Sequence, residues 1–325
     1  NAYLETILMM MGIMTIYKDK TTVCKTKPVI RKIKLLSTIL LTTFVMVILT
    51  GCVKDELNNT PHPNKGAVRV TTHWTELSKD AVQPKSYLLR IGEFTHTVSG
   101  KENIFKDMLP QGSYTLLVHN TPAGVTINAA KAEVNTLPNG TLEPLPNYLF
   151  SAAKEFEAIK DDTLNVSVKM VQSLRILQLT LKLSAADAER ITSTAATLTG
   201  ISHSINLTTG QADIAGIGKT VVPNFQVGSI NRAGSHAQPT LVAHLRLAGM
   251  ASGSRQVLTL LFTLIGDTVV SIETDLTQAL KDFGKEINPL ALDATIKLPN
   301  YTTDMGATGT ITNWEVVDNG NITIH

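Results

Sequence analysis

Apolar and polar side chains alternate residue by residue along much of the chain beyond residue 65. Because successive side chains of a β-strand point to opposite faces of its sheet, this period of two predicts strands with one face on a core and the other in water. Seven runs show the pattern most clearly: 68–74, 114–118, 164–170, 177–183, 241–247, 258–264 and 290–298. The chain is therefore predicted to be all-β and built from antiparallel sandwiches.

Residues that favour turns separate these runs. Pro110-Gln111-Gly112 precedes the second run, and Pro138-Asn139-Gly140 and Thr209-Gly210 follow others. Asp318-Asn319-Gly320-Asn321 lies between two short apolar segments, which predicts a hairpin in the last residues of the sequence.

Helical patterns are few and short. The segment Asp275–Phe283 favours a helix, with Asp275 as N-cap, Gln278 at the capping-box position and Gly284 as the stop. A second short helical turn is predicted over Ala185–Ile191. The all-β fold is therefore expected to carry one or two short helices.

The beginning of the sequence has the pattern of a bacterial lipoprotein leader. A basic segment, 31–34, precedes an apolar run of about 15 residues, shorter than the roughly 20 needed to cross a bilayer as a helix. The run ends in Leu49-Thr50-Gly51-Cys52, which matches the lipobox. We expect residues 1–51 to form a leader with a lipoprotein signal peptide and the thiol of Cys52 to carry diacylglycerol. The alternative is an uncleaved signal anchor with an incidental cysteine.

The rest of the chain divides into a tether and two globular parts. Residues 52–65 are rich in Asn, Pro and Thr and poor in apolar residues, which predicts a flexible tether. Beyond it we expect an N-terminal sandwich over residues 66–173 and a C-terminal sandwich over residues 174–325. The boundary near Ser173 has an alternative, because the two strands that flank it could form a hairpin within one domain.

The charge and the cysteine content argue against two kinds of function, nucleic-acid binding and cysteine-based metal binding. The net charge is +2, but residues 1–51 hold seven basic and two acidic side chains, so residues 52–325 carry 22 basic and 25 acidic ones. A weakly acidic surface of mixed sign gives no electrostatic reason to expect nucleic acid as a partner. Both cysteines, Cys24 and Cys52, precede the globular part, so no disulfide or cysteine-based metal site is expected there.

No motif for catalysis or metal binding stands out. The eight histidines are scattered, without His-Glu-x-x-His or another metal-ligand spacing. His73, His119 and His244 fall on polar-facing strand positions, where solvated side chains are expected. The segment Gly216–Thr220 is similar to part of a phosphate loop but lacks its first glycine, and we interpret it as a hairpin turn. We therefore expect no enzyme activity, no cofactor and no metal.

Several segments occur in an order typical of one group of proteins. They are a first strand that ends at Trp74, the segment Leu109–Leu116 with its Leu-Pro-x-Gly-x-Tyr pattern, the strand Val166–Met170 followed by Arg175 and Leu177–Leu183, and the final segments Thr274–Leu276 and Thr310–Ile324. Together they resemble the fimbrillin and fimbrial-anchor superfamily of Bacteroidetes, the type V pilus proteins. In addition, Val53-Lys54-Asp55-Glu56 resembles the signal that sends Bacteroidetes lipoproteins to the outer face of the outer membrane.

The resemblance implies two transthyretin-like (Ig-like) sandwiches that are lipid-anchored to the outer membrane and join other fimbrial subunits by strand donation. A sandwich that lacks one strand exposes backbone groups and a groove, which an extended segment of a neighbour can fill. In polymerising members an arginine-specific protease cuts within the first strand, and Arg69 is the matching residue here. We favour the alternative in which Arg69 faces outward from a strand that stays in place, as in an anchor or accessory subunit.

Two other functions remain open at this point. A surface lipoprotein that binds glycans would present aromatic rings to the apolar faces of sugars, with Trp74 and Trp314 as candidates, although aromatic residues on apolar strand faces also pack in cores. An enzyme would need titratable groups that converge in a cleft, which the sequence does not indicate.

Overall fold

A computed structural model describes residues 64–230, 238–299 and 309–317, which lie within one compact unit, Thr60–His325. These residues form β-sheets with very little helix, so the predicted all-β sandwich fold is confirmed. The predicted leader, Cys52 and the hairpin predicted around Asp318–Asn321 lie outside the described residues.

The first group of strands lies between residues 65 and 172. They are β1 (Lys65–His73), β2 (Tyr87–Ile91), β3 (Phe94–Val98), β4 (Glu102–Ile104), β5 (Leu109–Pro110), β6 (Gly112–His119), β7 (Val125–Asn128), β8 (Lys131–Val134), β9 (Phe150–Ala158), β10 (Thr163–Lys169) and β11 (Val171–Gln172). One sheet has the order β10-β1-β4, with β5 also paired to β1, and the other has the order β11-β9-β6-β2-β3.

The alternating pattern explains how these two sheets pack. Val68 and Val70 of β1 and Val166 of β10 enter the same core as Leu89 of β2 and Leu116 of β6, so the sheets lie face to face. Burying one apolar face of each sheet against the other is the main source of stability for such a sandwich.

The second group of elements follows residue 174. They are β12 (Arg175–Lys182), α1 (Ala185–Arg190), β13 (Ile191–Ser202), β14 (Ser204–Asn206), β15 (Gln211–Ala212), β16 (Lys219–Val221), β17 (Gln226–Ile230), β18 (Gln238–Leu247), β19 (Gly249–Met250), β20 (Val257–Leu264), β21 (Val269–Asp275), β22 (Leu290–Lys297), β23 (Thr310–Ile311) and β24 (Glu315–Val317). One sheet has the order β17-β18-β12-β22-β23, with β24 also paired to β22. The other has the order β16-β13-β20-β21, with β19 also paired to β13. Leucines of β12, β18, β20 and β22 share a second core.

A further sheet combines strands from both groups, in the order β15-β14-β8-β7. In it Ala132 of β8 lies opposite Ile205 of β14. Leu117, Leu142 and Leu149, which all precede Ser173, also belong to the second core. The division into two sandwiches at residue 173 stays a prediction, and strands from both sides of that residue pair with each other.

Two ladders are parallel in otherwise antiparallel sheets. Strand β1 runs parallel to β10, and β12 runs parallel to β22. Parallel neighbours cannot be joined by a tight hairpin and need a long crossover connection. In both cases the connection contains all the intervening strands. The alternation of apolar residues along a strand is the same whether its neighbour runs parallel or antiparallel, so the pattern does not distinguish the two.

The helix predicted over Asp275–Phe283 is wrong. Strand β21 continues to Asp275, and a series of turns follows it. The Asp275 carboxylate accepts a hydrogen bond from the backbone N–H of Thr277 at 2.8 Å, which closes a local turn instead of capping a helix. Within the described ranges the α-helix is α1, capped by Ser184. No helix in the described part of the chain has the length and apolar character needed to cross a membrane.

Candidate partner-binding surfaces

Strand β1 lies in the interior of its sheet, although it is the first strand that the structure describes. On one side β10 pairs with it from Ala67 to His73. On the other side β4 faces only the segment from Arg69 to Thr71, and β5 faces its first two residues. A backbone hydrogen bond of 2.8 Å from Phe105 to the Val68 carbonyl links these two short contacts. Strand β1 is therefore paired continuously along one edge and in short pieces along the other.

Arg69 lies at the centre of this strand. It is opposite Asn165 of β10 and Ile104 of β4, and the buried side chains of Val68 and Val70 on either side of it point into the core. The Arg69 side chain is therefore on the outer face, half-buried. Because the backbone is paired on both sides, a protease that binds an extended substrate can reach the bond after Arg69 only if β1 leaves the sheet. Arg69 as a possible processing site, and the favoured alternative in which β1 stays in place uncut, both stay predictions.

Tyr87 of β2 ties β1 to the opposite sheet of the sandwich. Its hydroxyl is 3.1 Å from Thr72 Oγ1 on β1, donates to the Gly100 carbonyl at 2.7 Å and accepts from Asn103 Nδ2 at 2.9 Å. The ring packs edge-on against Trp74, with ring centroids 5.6 Å apart. Because both side chains of the Tyr87–Thr72 pair are buried, withdrawal of β1 would break this hydrogen bond and expose the ring of Tyr87 to water.

The start of β1 makes a close backbone contact at Gly66. A Cβ atom at this position would lie 1.9 Å from the carbonyl oxygen of Ile159. Only glycine, which has no Cβ, allows the two backbone segments to approach this closely.

Several edge strands expose apolar side chains that a partner strand could cover. They include Phe94 on β3, Ile104 on β4, Val227 on β17 and Val269 on β21. An edge strand leaves one row of backbone N–H and C=O groups unpaired, so an exposed apolar residue on it marks a place where another strand can add.

Val227 differs from the other exposed residues in the face on which it lies. It is paired with Leu241 of β18, which is only 5% exposed and belongs to the core, so both side chains project from the core face of the sheet. Val227 is nevertheless 86% exposed. Among the described residues, the opposite sheet therefore does not cover the core face at β17, and no strand pairs with its outer edge.

The two tryptophans proposed as glycan platforms are half-buried and pack against the cores. The indole N–H of Trp74 donates to Thr72 Oγ1 at 3.0 Å, and its ring also contacts Phe150 edge-on. The indole N–H of Trp314 lies 3.3 Å from Thr274 Oγ1. The structure does not bring the two residues together, since they belong to different cores.

The expectation of solvated histidines is wrong for His119. Its side chain is buried, and this burial lowers the pKa of the imidazole against an opposing hydrogen bond to the Asn120 carbonyl. Burial also lowers the pKa of His244, whose Nε2 lies 3.1 Å from Gln178 Oε1. His73 is half-buried on the outer face of β1, 2.7 Å from Ser167. All three are structural side chains in contact with neighbouring strands.

The segment Gly216–Thr220 is not a hairpin turn, because it joins two sheets and its last two residues begin β16. It leads from β15 to β16, which belong to different sheets. No group of three or more histidine, cysteine, aspartate or glutamate side chains in the described ranges is arranged to hold a metal ion.

Three residues important for these surfaces carry no signal in the sequence. Tyr87 and Gly66 look like an ordinary strand tyrosine and a linker glycine, and Val227 looks like a core valine. Their roles depend on which strand lies opposite, and only the tertiary pairing determines that.

Comparisons with known proteins give a consistent result. Residues 60–320 match the family described as Fimbrillin-A associated anchor proteins Mfa1 and Mfa2. No curated protein matches the chain. The fold is similar to that of the fimbrial anchor protein Mfa2 from Porphyromonas gingivalis, with 12% identity, a TM-score of 0.52 and coverage of 79% of this chain and 98% of that one. It is also similar to a candidate adhesin from Bacteroides ovatus, with 11% identity, a TM-score of 0.53 and coverage of 79% and 96%. At such identities the structural likeness shows a shared fold.

Proposed function

Because this chain belongs to the family of Fimbrillin-A associated anchor proteins Mfa1 and Mfa2, we propose that it is an anchor or accessory subunit of a surface fimbria. In this proposal the lipidated Cys52 holds the protein in the outer membrane, the tether over residues 52–65 spaces it from the bilayer, and the sandwiches bind other fimbrial subunits. The role is structural and involves no catalysis.

The observation that carries this proposal is the position of β1 inside its sheet. A subunit that polymerises after loss of its first strand must present an empty groove to its neighbour. Here Val68 and Val70 fill that place, and Tyr87 and the backbone contact at Gly66 hold the strand. A subunit that keeps β1 offers no such groove, which fits an anchor or accessory subunit better than a repeating shaft subunit.

The N-terminus of the mature protein tests this assignment. In outer-membrane vesicles from the native bacterium we expect the chain to begin at a lipid-modified Cys52, detected by mass spectrometry of the N-terminal peptide. A Cys52→Ser variant, in which the oxygen cannot accept the lipid, should be lost from the outer-membrane fraction. A mature chain that begins at Val70 would contradict the proposal, because β1 would then have been cut after Arg69.

Attachment of other subunits is proposed to occur at β17. In the part of the chain that the structure describes, no strand pairs with its outer edge, and Val227 extends the apolar core face beyond the cover of the opposite sheet. An extended segment of another fimbrial subunit would satisfy the backbone groups and place alternate apolar side chains beside Val227. This arrangement adds a strand without requiring β1 to leave.

A charge at this position should block the attachment. We expect Val227→Lys to reduce co-purification of fimbrial subunits with the tagged protein by about tenfold, because a lysine on the core face of an edge strand disfavours pairing. The free energy of unfolding should change by less than about 0.5 kcal/mol, since the side chain is 86% exposed.

Val269→Lys is the matched control. Val269 is also on an edge strand and is 60% exposed, but it lies on the outer face of β21, next to the buried Val270. This variant should co-purify subunits within about twofold of the parent. Equal losses with both variants, or no loss with Val227→Lys, would show that β17 is not the attachment edge.

A further inference from the structure

A cleft of about 670 Å³ lies away from both β1 and β17. Its wall is formed by the start of β12, the short strands β15 and β19, and the turns that follow β21. Three cationic side chains line it: Arg175, Lys281 and Lys285. No aspartate or glutamate is among its lining residues in the described part of the chain.

Arg175 is the most deeply placed of these cations, and its hydrogen bonding is incomplete. Its Nε donates to the carbonyl oxygen of Glu286 at 3.2 Å, whereas its buried Nη1 has no hydrogen-bond partner among the described residues. The hydroxyl of Ser173, which lines the same cleft and is buried, also has no partner there. Both atoms are buried, so leaving them unpaired costs free energy.

The charge of Arg175 is likewise uncompensated. Burial lowers the pKa of its guanidinium, and Tyr148 opposes this effect. The carboxylate of Asp282 pairs with Lys285 at 2.6 Å on the exposed side of the turn and does not line the cleft. A partly desolvated cation without a carboxylate partner is attracted to an anion that enters its cavity.

From these contacts we infer that the cleft binds an acidic saccharide, with the sugar carboxylate placed at Arg175. Most of the remaining polar lining consists of hydroxyl and amide side chains: Gln211, Ser252, Ser254, Thr277 and Gln278. Such groups suit a ligand that is covered with hydroxyls, and Phe283 adds an aromatic surface to the same wall. The volume falls in the usual range of small-molecule sites.

A peptide terminus fits the same cleft less well. An extended peptide is recognised mainly by a continuous row of backbone groups at the edge of a sheet. Apart from the first residue of β12, the strands that line this cleft are β15 and β19, which contain two residues each, and the rest of the wall is turns and loops. The backbone row that a peptide would need is therefore too short here.

Binding of trigalacturonic acid to the purified full-length protein tests this inference. By isothermal titration calorimetry at low salt we expect a Kd below about 1 mM, and at least tenfold weaker binding of the methyl-esterified trisaccharide, which keeps the rings and hydroxyls but loses the negative charges. Arg175→Gln should weaken binding of the acid by about tenfold and leave the weak binding of the ester unchanged. Lys281→Gln, at an exposed position where folding is not at risk, should weaken it about threefold.

Arg255→Gln is the matched control, because Arg255 pairs with Asp275 on the surface and does not line the cleft. It should bind within twofold of the parent. The inference would be overturned if the acid and the ester bound with equal affinity, or if the acid did not bind at about 10 mM. It would also be overturned if the Arg175 and Lys281 variants both bound the acid as the parent does. Tighter binding of a hexapeptide with a free C-terminus than of the saccharide would overturn it in favour of a peptide ligand.

Discussion

Replacing Tyr87 with alanine is expected to lower the free energy of unfolding by about 3–5 kcal/mol and to expose the bond after Arg69 to proteolysis. The Tyr87 side chain is 2% exposed, and its removal leaves a large cavity between the two sheets of the first sandwich. It also removes the hydroxyl that Thr72 contacts on β1 and that Asn103 donates to. Both losses weaken the attachment of β1.

Chemical denaturation measures the first effect, and digestion by an arginine-specific protease under native conditions measures the second. The expected product is a chain that begins at Val70. Tyr87→Phe separates the two contributions, because it keeps the ring and loses only the hydroxyl. We expect it to cost about 1–3 kcal/mol through the buried groups left unpaired.

Phe262→Ala provides the matched control in the other core. Phe262 is fully buried in the second core, so its loss should cost a similar 3–5 kcal/mol. It does not contact β1, and cleavage after Arg69 should stay slow below the unfolding transition. If Phe262→Ala exposed Arg69 as much as Tyr87→Ala does, release of β1 would be a consequence of general instability and not of the contacts that Tyr87 makes.

Gly66→Ala is the second substitution with a large expected effect. The added methyl group would lie 1.9 Å from the Ile159 carbonyl oxygen, and a clash with backbone cannot be relieved by a change of rotamer. The beginning of β1 must therefore move away, with loss of hydrogen bonds such as the one of 3.0 Å from Ala67 to the Asp162 carbonyl. We expect a loss of about 2–3 kcal/mol in the free energy of unfolding and faster cleavage at Arg69.

Gly112→Ala is the appropriate control for this substitution. A Cβ atom at Gly112 would meet only the ring of Tyr114, at 3.7 Å, which is an ordinary contact. Alanine there should be neutral or stabilising by about 0.5 kcal/mol, because it restricts the unfolded chain. A Gly66→Ala protein as stable as the Gly112→Ala protein would show that the contact at Ile159 yields easily and does not secure β1.

Both predictions concern the same property, the strength with which the first strand is held. Retention of β1 distinguishes a subunit that closes its own sandwich from one that receives a strand from a neighbour. The edge at β17 and the cleft at Arg175 are separate from β1, so variants at those places should leave protection of Arg69 unchanged.

The sequence by itself determined the class of fold and the positions of most strands. In the runs around Val68, Leu177 and Leu258, the alternating apolar residues are buried as the pattern predicts, because the strand period of two depends only on local backbone geometry. The same reasoning failed for Asp275–Phe283. There β21 pairs with β20 up to Asp275, the Asp275 carboxylate closes a turn on Thr277, and the residues that follow form further turns.

Tertiary structure alone decided which strands pair and what each surface residue meets. The parallel ladder between β1 and β10, the burial of His119 and the exposure of Val227 all depend on contacts between residues far apart in sequence. The physical reason is that alternation tells which face of a strand is apolar, but not whether another sheet covers that face. Covered apolar faces became cores, and the uncovered face at β17 became the candidate site for a partner.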